Sequence, residues 1–483
     1  MYGPIEESIY TKAVTTVVKD IQSQTPTKDS LFEQAQLYFE SSEKDKNTRL
    51  DLQQEINLLK KSLVTGNKEN NIKQQKKLER TEKTYKKEQA RQQQNRTLRY
   101  QKVVDVCCKL LVLSEGGSWQ DTQNNSAKLF GTLQLLSPGE GPKLAHYHQK
   151  LKPAYKGVLA LRLLDKLLLE DNISNQYIKE RNQASQRYPE KEGELTLFQR
   201  DVAIPMLIGA LFQDIGLLHP QAQLLLKGED GTLDEFRVLD KDIRLKLLKI
   251  NHEQTLDYIT YGLGSDQYVG NSKVEKVSFE ANEKERLNFT RTLLKDAIKP
   301  ELVVGNLLKA PQIYTSVIFS TKPSYNFLDL PKAGLVINRA AEGGVISTVA
   351  ANGLLSIVGH FPQGYGITYI PKDEDQQDMD RYEYAIVSNL NPKDPYVPRC
   401  RGTTRNLTFI TNGQSMLINK ENNLFFLIAR KKLGKIHPAR LEEILRNLVS
   451  NFEERKKLDL LPRYWNPYAF FCYKKLQNLW KKA

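Results

Sequence analysis

Between Gly66 and Tyr100 the chain has almost nothing to bury. Eleven basic residues (Lys68, Lys73, Lys76, Lys77, Arg80, Lys83, Lys86, Lys87, Arg91, Arg96, Arg99) stand against four acids (Glu69, Glu79, Glu82, Glu88). The net of +7 is half of the whole chain's +14, and it falls in 35 of 483 residues. The rest of the stretch is mostly Gln, Asn and Thr, with no proline. Lys, Arg, Gln and Glu are good helix formers, and Glu79–Lys83 and Glu82–Lys86 sit at i,i+4 spacing. No packed core can be made from this segment, so it must be a solvated helix that its flanks hold in place.

The flanks are suited to that. Leu50, Leu52, Ile56, Leu58, Leu59 and Leu63 form an apolar stripe upstream. Leu98, Val103, Val104, Val106 and Leu110 to Leu113 resume it downstream. The pattern predicts one long helix, or two broken near Val64-Thr65-Gly66, anchored at its ends and exposed in the middle. One reading is a solvated or coiled-coil arm that projects from the body or pairs with a partner chain. The other is a polyanion-binding arm for nucleic acid or anionic lipid. Tyr85 is its only interior aromatic before Tyr100, so base stacking is not indicated. The charge is modest for a helix of roughly 50 Å, so weak or no nucleic-acid binding at physiological salt is expected.

Mean hydropathy is low, −0.53, as a long solvated segment requires, yet 40% of residues are hydrophobic and a sizeable core is affordable. Four cysteines, two of them adjacent at Cys107 and Cys108, make no disulfide framework. The longest apolar run, Ala203 to Phe212, is short for a bilayer span. The first thirty residues carry acids and no signal-like apolar core. A cytoplasmic protein of several parts is expected.

Residues 1–48 hold two short amphipathic patterns. The arm follows over 49–113, and a Gly/Ser/Asn-rich patch, Ser114 to Ala127, breaks it. Leu129 to Leu136 reads as a short helix or strand, and Ser137-Pro-Gly-Glu-Gly-Pro142 as a loop. Helical periodicity then runs over roughly 150–350, with segments at Val158–Leu169, Leu195–Leu218, Leu233–Ile259, Glu285–Ile298, Leu307–Ser320 and Leu330–Ala341. Over 357–430 the texture is β-like: Tyr365–Ile370, Tyr382–Val387, Asn406–Ile410 and Asn423–Ile428 are at strand length between turn residues. Residues 436–483 close the chain with helices and an aromatic, basic tail. The fold class expected is mostly α, with a small C-terminal antiparallel β module.

The helical region carries a pattern. Ala210-Leu-Phe-Gln-Asp-Ile-Gly-Leu217 resembles the "ALLHDIGK" element of HD-GYP domains, the bacterial metal-dependent phosphodiesterases of cyclic di-GMP. Leu224-Leu-Leu-Lys-Gly-Glu-Asp-Gly-Thr-Leu-Asp-Glu-Phe236 is similar to the family's next stretch, and Asn251-His252 to its "HP" pair. Pro311-Gln-Ile-Tyr314 with Ser320–Tyr325 resembles "ADVYDALTSDRPYR", and Ile357–Gly364 the "IVGLYPLG" that follows the domain. The resemblance covers about residues 150–365 in the family's order. It implies an HD-type helical bundle there.

It also implies a damaged site. Such a site gathers imidazoles and carboxylates around divalent cations that activate water against a phosphodiester. Here Gln213 stands for the paired His and only Asp214 remains. An amide oxygen is a poorer ligand for iron or manganese than imidazole. Leu217 replaces the lysine that faces the leaving group, and Gln312 the late metal-binding Asp. Between Tyr261 and Leu302 there is no His and no GYP. Asp214 and His252 are the surviving ligand candidates, and two ligands do not hold a binuclear centre. For each, a cap or a satisfied helix residue is the alternative reading.

Other motifs are weaker. Arg401-Gly-Thr-Thr-Arg405 has the Arg-x-x-x-Arg spacing with which PilZ domains grip cyclic di-GMP, although their partner motif is absent in usable form. Exposed arginines on a β edge are the plainer reading. His146 and His148 make no metal site by spacing, and His219 precedes Pro220 in a loop. The tail, Arg463 to Lys482, carries Tyr464, Trp465, Tyr468, Phe470, Phe471, Tyr473 and Trp480 among basic residues, and suits either docking on the body or peripheral contact with a membrane.

The function expected is non-catalytic: a binding or scaffold protein in a bacterial cyclic-di-GMP-linked signalling pathway, with no catalytic residue and no cofactor. Its partners would be an unidentified protein and possible cyclic dinucleotide at Arg401 and Arg405. One alternative is an active HD-type phosphohydrolase using Fe or Mn. A second is a nucleic-acid-associated protein using the basic arm.

Overall fold

The computed structural model describes residues 4–65, 68–141, 143–189, 194–300, 303–436, 438–448 and 460–480. The chain is mostly helical, with a small antiparallel sheet near the C-terminus. It divides into two compact units. One comprises Met1–Lys19, Cys107–Leu211 and Thr292–Ala483; the other comprises Asp20–Val106 and Phe212–Arg291.

The first unit is organised around helix α5 (Leu144–Leu169), buried almost without interruption from Pro153 to Asp165. Helices α4 (Trp119–Leu135), α11 (Val303–Ile318) and α13 (Thr348–Val358) pack against it, and α12 (Ala333–Glu342) packs on α11 and α13. Helix α4 begins well inside the Gly/Ser/Asn-rich patch expected to be a break. Ser118 caps its N-terminus by accepting from the Asp121 N–H, and so closes the gap to four residues. The apolar stretch expected as one helix starts as a π turn, Gln199–Ala203, and continues as α7 (Ile204–Phe212). Gln199–Leu218 is long and apolar enough to cross a membrane by length and composition, and 83% of its most apolar window is buried inside the protein.

A neutral group of four charges sits in this unit. Arg162 of α5 donates to Glu115 (2.7 Å) and pairs with Asp165 (2.8 Å). Arg187 reaches the same two carboxylates at 2.6 and 2.7 Å. Gln199 of the π turn donates to Glu115 (2.8 Å), and Arg162 donates to Ser126 of α4 (3.1 Å). Burial alone would raise the Glu115 carboxyl, but Arg187 and Arg162 overcome it and hold the group at about 2.

The four-stranded sheet has the order β1-β2-β3-β6, all antiparallel: β1 Gly366–Tyr369, β2 Glu383–Val387, β3 Arg399–Gly402 and β6 Ser415–Leu417. Two-residue strands β4 (Thr404–Arg405) and β5 (Thr408–Phe409) pair beside it. Strands β1 and β2 lie within the β-branched and aromatic stretches expected as strands. Arg399-Cys-Arg-Gly402 has little strand character, and tertiary pairing makes it the strand beside β2. The expected strand Asn423–Ile428 is reduced to a single bridge, Tyr369↔Asn423, before the chain turns into helix α14 (Leu427–Leu433). Helix α15 (Pro438–Leu448) follows; the rest of the helix expected to Arg455 lies outside the described residues. The tail packs inward. Trp465, Phe470, Phe471, Leu476 and Leu479 join the core formed with Tyr382, Tyr384, Ile386 and Leu433, and helix α16 (Tyr468–Phe471) is an α-helical turn within the tail.

In the second unit helices α2 (Leu31–Thr65) and α3 (Lys68–Ser114, the unit ending at Val106) run antiparallel. Ion pairs Asp45–Arg91 (2.8 Å), Glu55–Lys77 (2.7 Å) and Glu82–Lys60 (2.9 Å) link them, and Ile56 and Leu78 are buried. The basic stretch is therefore helical as expected, but its partner is the preceding segment of the same chain. Helices α8 (Pro220–Lys227), α9 (Lys241–Asp257) and α10 (Lys273–Asp296, the unit ending at Arg291) complete this unit.

Removing one member of the buried charge group should be severe, because its partners stay buried. Arg162→Ala is expected to cost about 3–5 kcal/mol of unfolding free energy, read from urea denaturation. A loss below about 1 kcal/mol would mean that solvent reaches the group.

Candidate functional site

Helix α7 ends at Phe212, and Gln213-Asp214 lead into a 3-10 turn, Ile215–Leu218. This turn lies directly on α9. A Cβ on Gly216 would come within 2.2 Å of the Asn251 carbonyl oxygen, so only glycine allows the approach. The Gly216 N–H donates to the Thr255 hydroxyl (3.1 Å), and the Asn251 amide donates to the Gln213 carbonyl (3.3 Å). Gln213-Asp214 and Asn251-His252 are thus brought side by side. The Gln213 side chain is buried, 9% exposed, and its Oε1 has no hydrogen-bond partner among the described residues. Asp214, Leu217 and His252 are half-buried.

Aromatic rings wall this place. Phe212 meets Tyr258 edge-on (5.3 Å), Tyr38 meets Tyr258 (5.4 Å), and Phe39 of α2 meets His219 (5.5 Å). His219 caps α8: its Nδ1 accepts from the Gln221 N–H (3.3 Å), and burial lowers its pKa. Among the described residues no three His, Cys, Asp or Glu side chains form a group that could hold a metal ion. Gln312 belongs to the other unit, on α11, where its carbonyl accepts from the Thr315 hydroxyl (3.2 Å). Gln213, Asp214, Leu217 and His252 are therefore gathered in one unit, and Gln312 is not.

Arg401 is in β3 and spends its guanidinium on the main chain. It donates to the Leu479 carbonyl (3.0 Å) and the Gly413 carbonyl (2.9 Å), tying the tail to the sheet. Arg405, in β4, is exposed.

The sequence reading missed one arrangement. His148 Nδ1 lies 2.7 Å from the Ser320 carbonyl, which can only accept, so Nδ1 carries the proton. Nε2 then accepts from the Ser137 hydroxyl at 2.7 Å. This is nucleophile–base geometry, but Ser137 is 1% and His148 0% exposed, and Phe327 is packed against Gly139. The pair pins the loop after α4 to α5. The signal was a serine opening a Pro-Gly loop and a histidine eleven residues on, on the next helix. Burial holds the His148 imidazole down at about 4, and burial with Lys420 holds His360 at about 4.

No protein-family model matches the sequence, and comparison with curated proteins and with solved structures returns no match.

The His148 contact sets a pH dependence. The folded pKa of about 4 lies below the unfolded value, which is roughly 6.5. The unfolded chain takes up the proton first, so the contribution is full above pH ~6.5 and is lost as pH falls toward ~4. The loss is about 3 kcal/mol at most. Stability measured from pH 7 to 4 should fall, and His148→Gln should flatten that slope by about half, leaving the His360 part. An unchanged slope would show that His148 is already charged in the folded protein.

Proposed function

We propose that this chain is a non-catalytic binding or scaffold protein with a degenerate HD-type helical core, acting in the cytoplasm in a bacterial cyclic-di-GMP-linked signalling pathway. The observation that supports the reading is the packing of Gly216 on Asn251, with the Asn251 amide donating to the Gln213 carbonyl. In HD-type chemistry those two segments supply ligands to a shared metal centre. Here one of them offers an amide in place of an imidazole, and Leu217 offers no charge to a leaving group. A site so altered favours recognition over hydrolysis.

The α2–α3 pair is read as a coiled-coil arm of this scaffold. Its cations Lys60, Lys77 and Arg91 are engaged by Glu82, Glu55 and Asp45, which favours a protein partner over nucleic acid. A cyclic dinucleotide at Arg401 would have to displace two carbonyls, so a protein is also the preferred cargo of the β module.

Two measurements on the purified full-length chain test this. Incubation with cyclic di-GMP and Mn²⁺ or Fe²⁺ should give no linear product; turnover with about two metal equivalents bound would establish the phosphodiesterase instead. Gln213→His restores the missing imidazole beside Asp214 and His252. It should raise Mn²⁺ affinity at least about tenfold by calorimetry, since neutral imidazole is the better ligand. No gain in the folded variant would remove the HD-type alignment.

A further inference from the structure

Helix α14 opens with an apolar tip held out to solvent. Leu427 is 57% and Ile428 51% exposed, and Tyr396, 41% exposed, lies beside them through the Phe426 ring (6.3 Å). The tip has a rigid footing: His360 packs on Tyr396 (4.8 Å) and on Phe361 (4.8 Å), and Phe425 meets Phe361 edge-on (5.2 Å). The segment that carries the tip is mainly cationic, and two acids lie against it: Asp378 accepts from Asn422 (2.7 Å) and Asp394 from the Tyr396 N–H (2.8 Å). From Lys420 to Lys435 there are five cations, Lys420, Arg430, Lys431, Lys432 and Lys435, and one acid, Glu421. Lys432 is neutralised by Asp378 (2.6 Å), and Lys420 lies over the Tyr396 ring (4.2 Å). Lys431 is one helical turn from both Leu427 and Ile428, and it and Lys435 are exposed.

We propose that this tip docks the protein on an anionic lipid bilayer. The bilayer interface accepts Leu and Ile below its headgroups and a tyrosine ring at their level. Lys431, one turn away, and Lys435, just past the helix end, can lay their stems along the apolar layer and keep their ammonium groups at lipid phosphates. The exposed Lys431 and Lys435 find their complement in lipid phosphates rather than in their own equivalents on a second copy. In the tail Trp465, Phe470 and Phe471 are buried, which leaves the exposed Tyr473 beside Lys474 and Lys475 as the competing contact that the test below separates. The proposal is independent of the HD-type reading: it uses neither the Gln213 site nor cyclic di-GMP.

Vesicle co-sedimentation of the full chain tests it, comparing phosphatidylcholine vesicles with and without 30% phosphatidylglycerol, a fraction of about one lipid in three chosen to give a strong surface potential. Binding is expected only with the anionic lipid and should weaken when salt is raised from about 0.1 to 0.5 M. Leu427→Glu/Ile428→Glu and Lys431→Glu/Lys435→Glu should each reduce it at least about tenfold, with thermal melting unchanged because all four side chains are exposed. Lys474→Glu/Lys475→Glu, in the exposed basic part of the tail, should bind as the unmodified chain does. No binding, equal binding to neutral vesicles, or loss only in the Lys474/Lys475 variant overturns the proposal. So does concentration-dependent dimerisation, seen by light scattering, that Leu427→Glu/Ile428→Glu abolishes.

Discussion

The first unit depends on a buried set of charges that cancels. Arg162 cannot leave the core, since it lies in the middle of the most buried helix, and it needs both Glu115 and Asp165. Glu115 comes from the corner between α3 and α4, Arg187 from the segment after α6 (Gln176–Ala184), and Gln199 from the π turn. Glu115 and Arg187 lie in irregular chain, where apolar packing alone defines no single path, and Gln199 lies at the π turn of a helix. Two guanidinium forks and two carboxylates have few ways to satisfy one another. A buried pair is a weak source of net stability against an apolar alternative, and we take its value here to be that it specifies where the corners go.

The same logic, with a weaker interaction, shapes the candidate site of the second unit. Gly216 has no Cβ, and that absence lets a 3-10 turn rest on a helix carbonyl. The peptide groups of Gln213 and Gly216 are then satisfied by Asn251 and Thr255. The chemistry at the place is set by what the side chains retain. An amide at 213 can accept and donate hydrogen bonds but is a poor metal ligand. Asp214 and His252 stand at the adjoining positions on these two segments.

Legibility followed periodicity. Helices α5, α11 and α12 repeat apolar residues at helical spacing, strands β1 and β2 are rich in β-branched and aromatic residues, and all are found near where those patterns put them. β3 was not legible, because Arg399 and Arg401 are strand residues only through their partners on β2 and β6. α14 was misread as strand: Phe425 to Ile428 are aromatic or β-branched except for Leu427, yet their face is exposed and the chain continues into a basic helix. Ser137 and His148 had only their spacing across a loop as a signal, since the group that fixes the His148 tautomer, the Ser320 carbonyl, is a backbone group 172 residues away.

The sequence by itself determined that the chain is mostly helical, that its strands fall near the C-terminal end, and that residues 66–100 carry too little apolar surface to be a core. Those properties are local: they depend on side-chain type and on periods of 3.6 and 2. Tertiary structure decided the rest. It placed the basic helix against its own upstream neighbour, because Asp45, Glu55 and Glu82 bridge the two helices. It turned the tail inward, because Arg401 and the core beneath the sheet bind it. It left Leu427 and Ile428 outside, because α14 turns Ala429 and Leu433 inward. Such choices compare the free energies of distant partners, and no window of neighbouring residues contains both sides of the comparison.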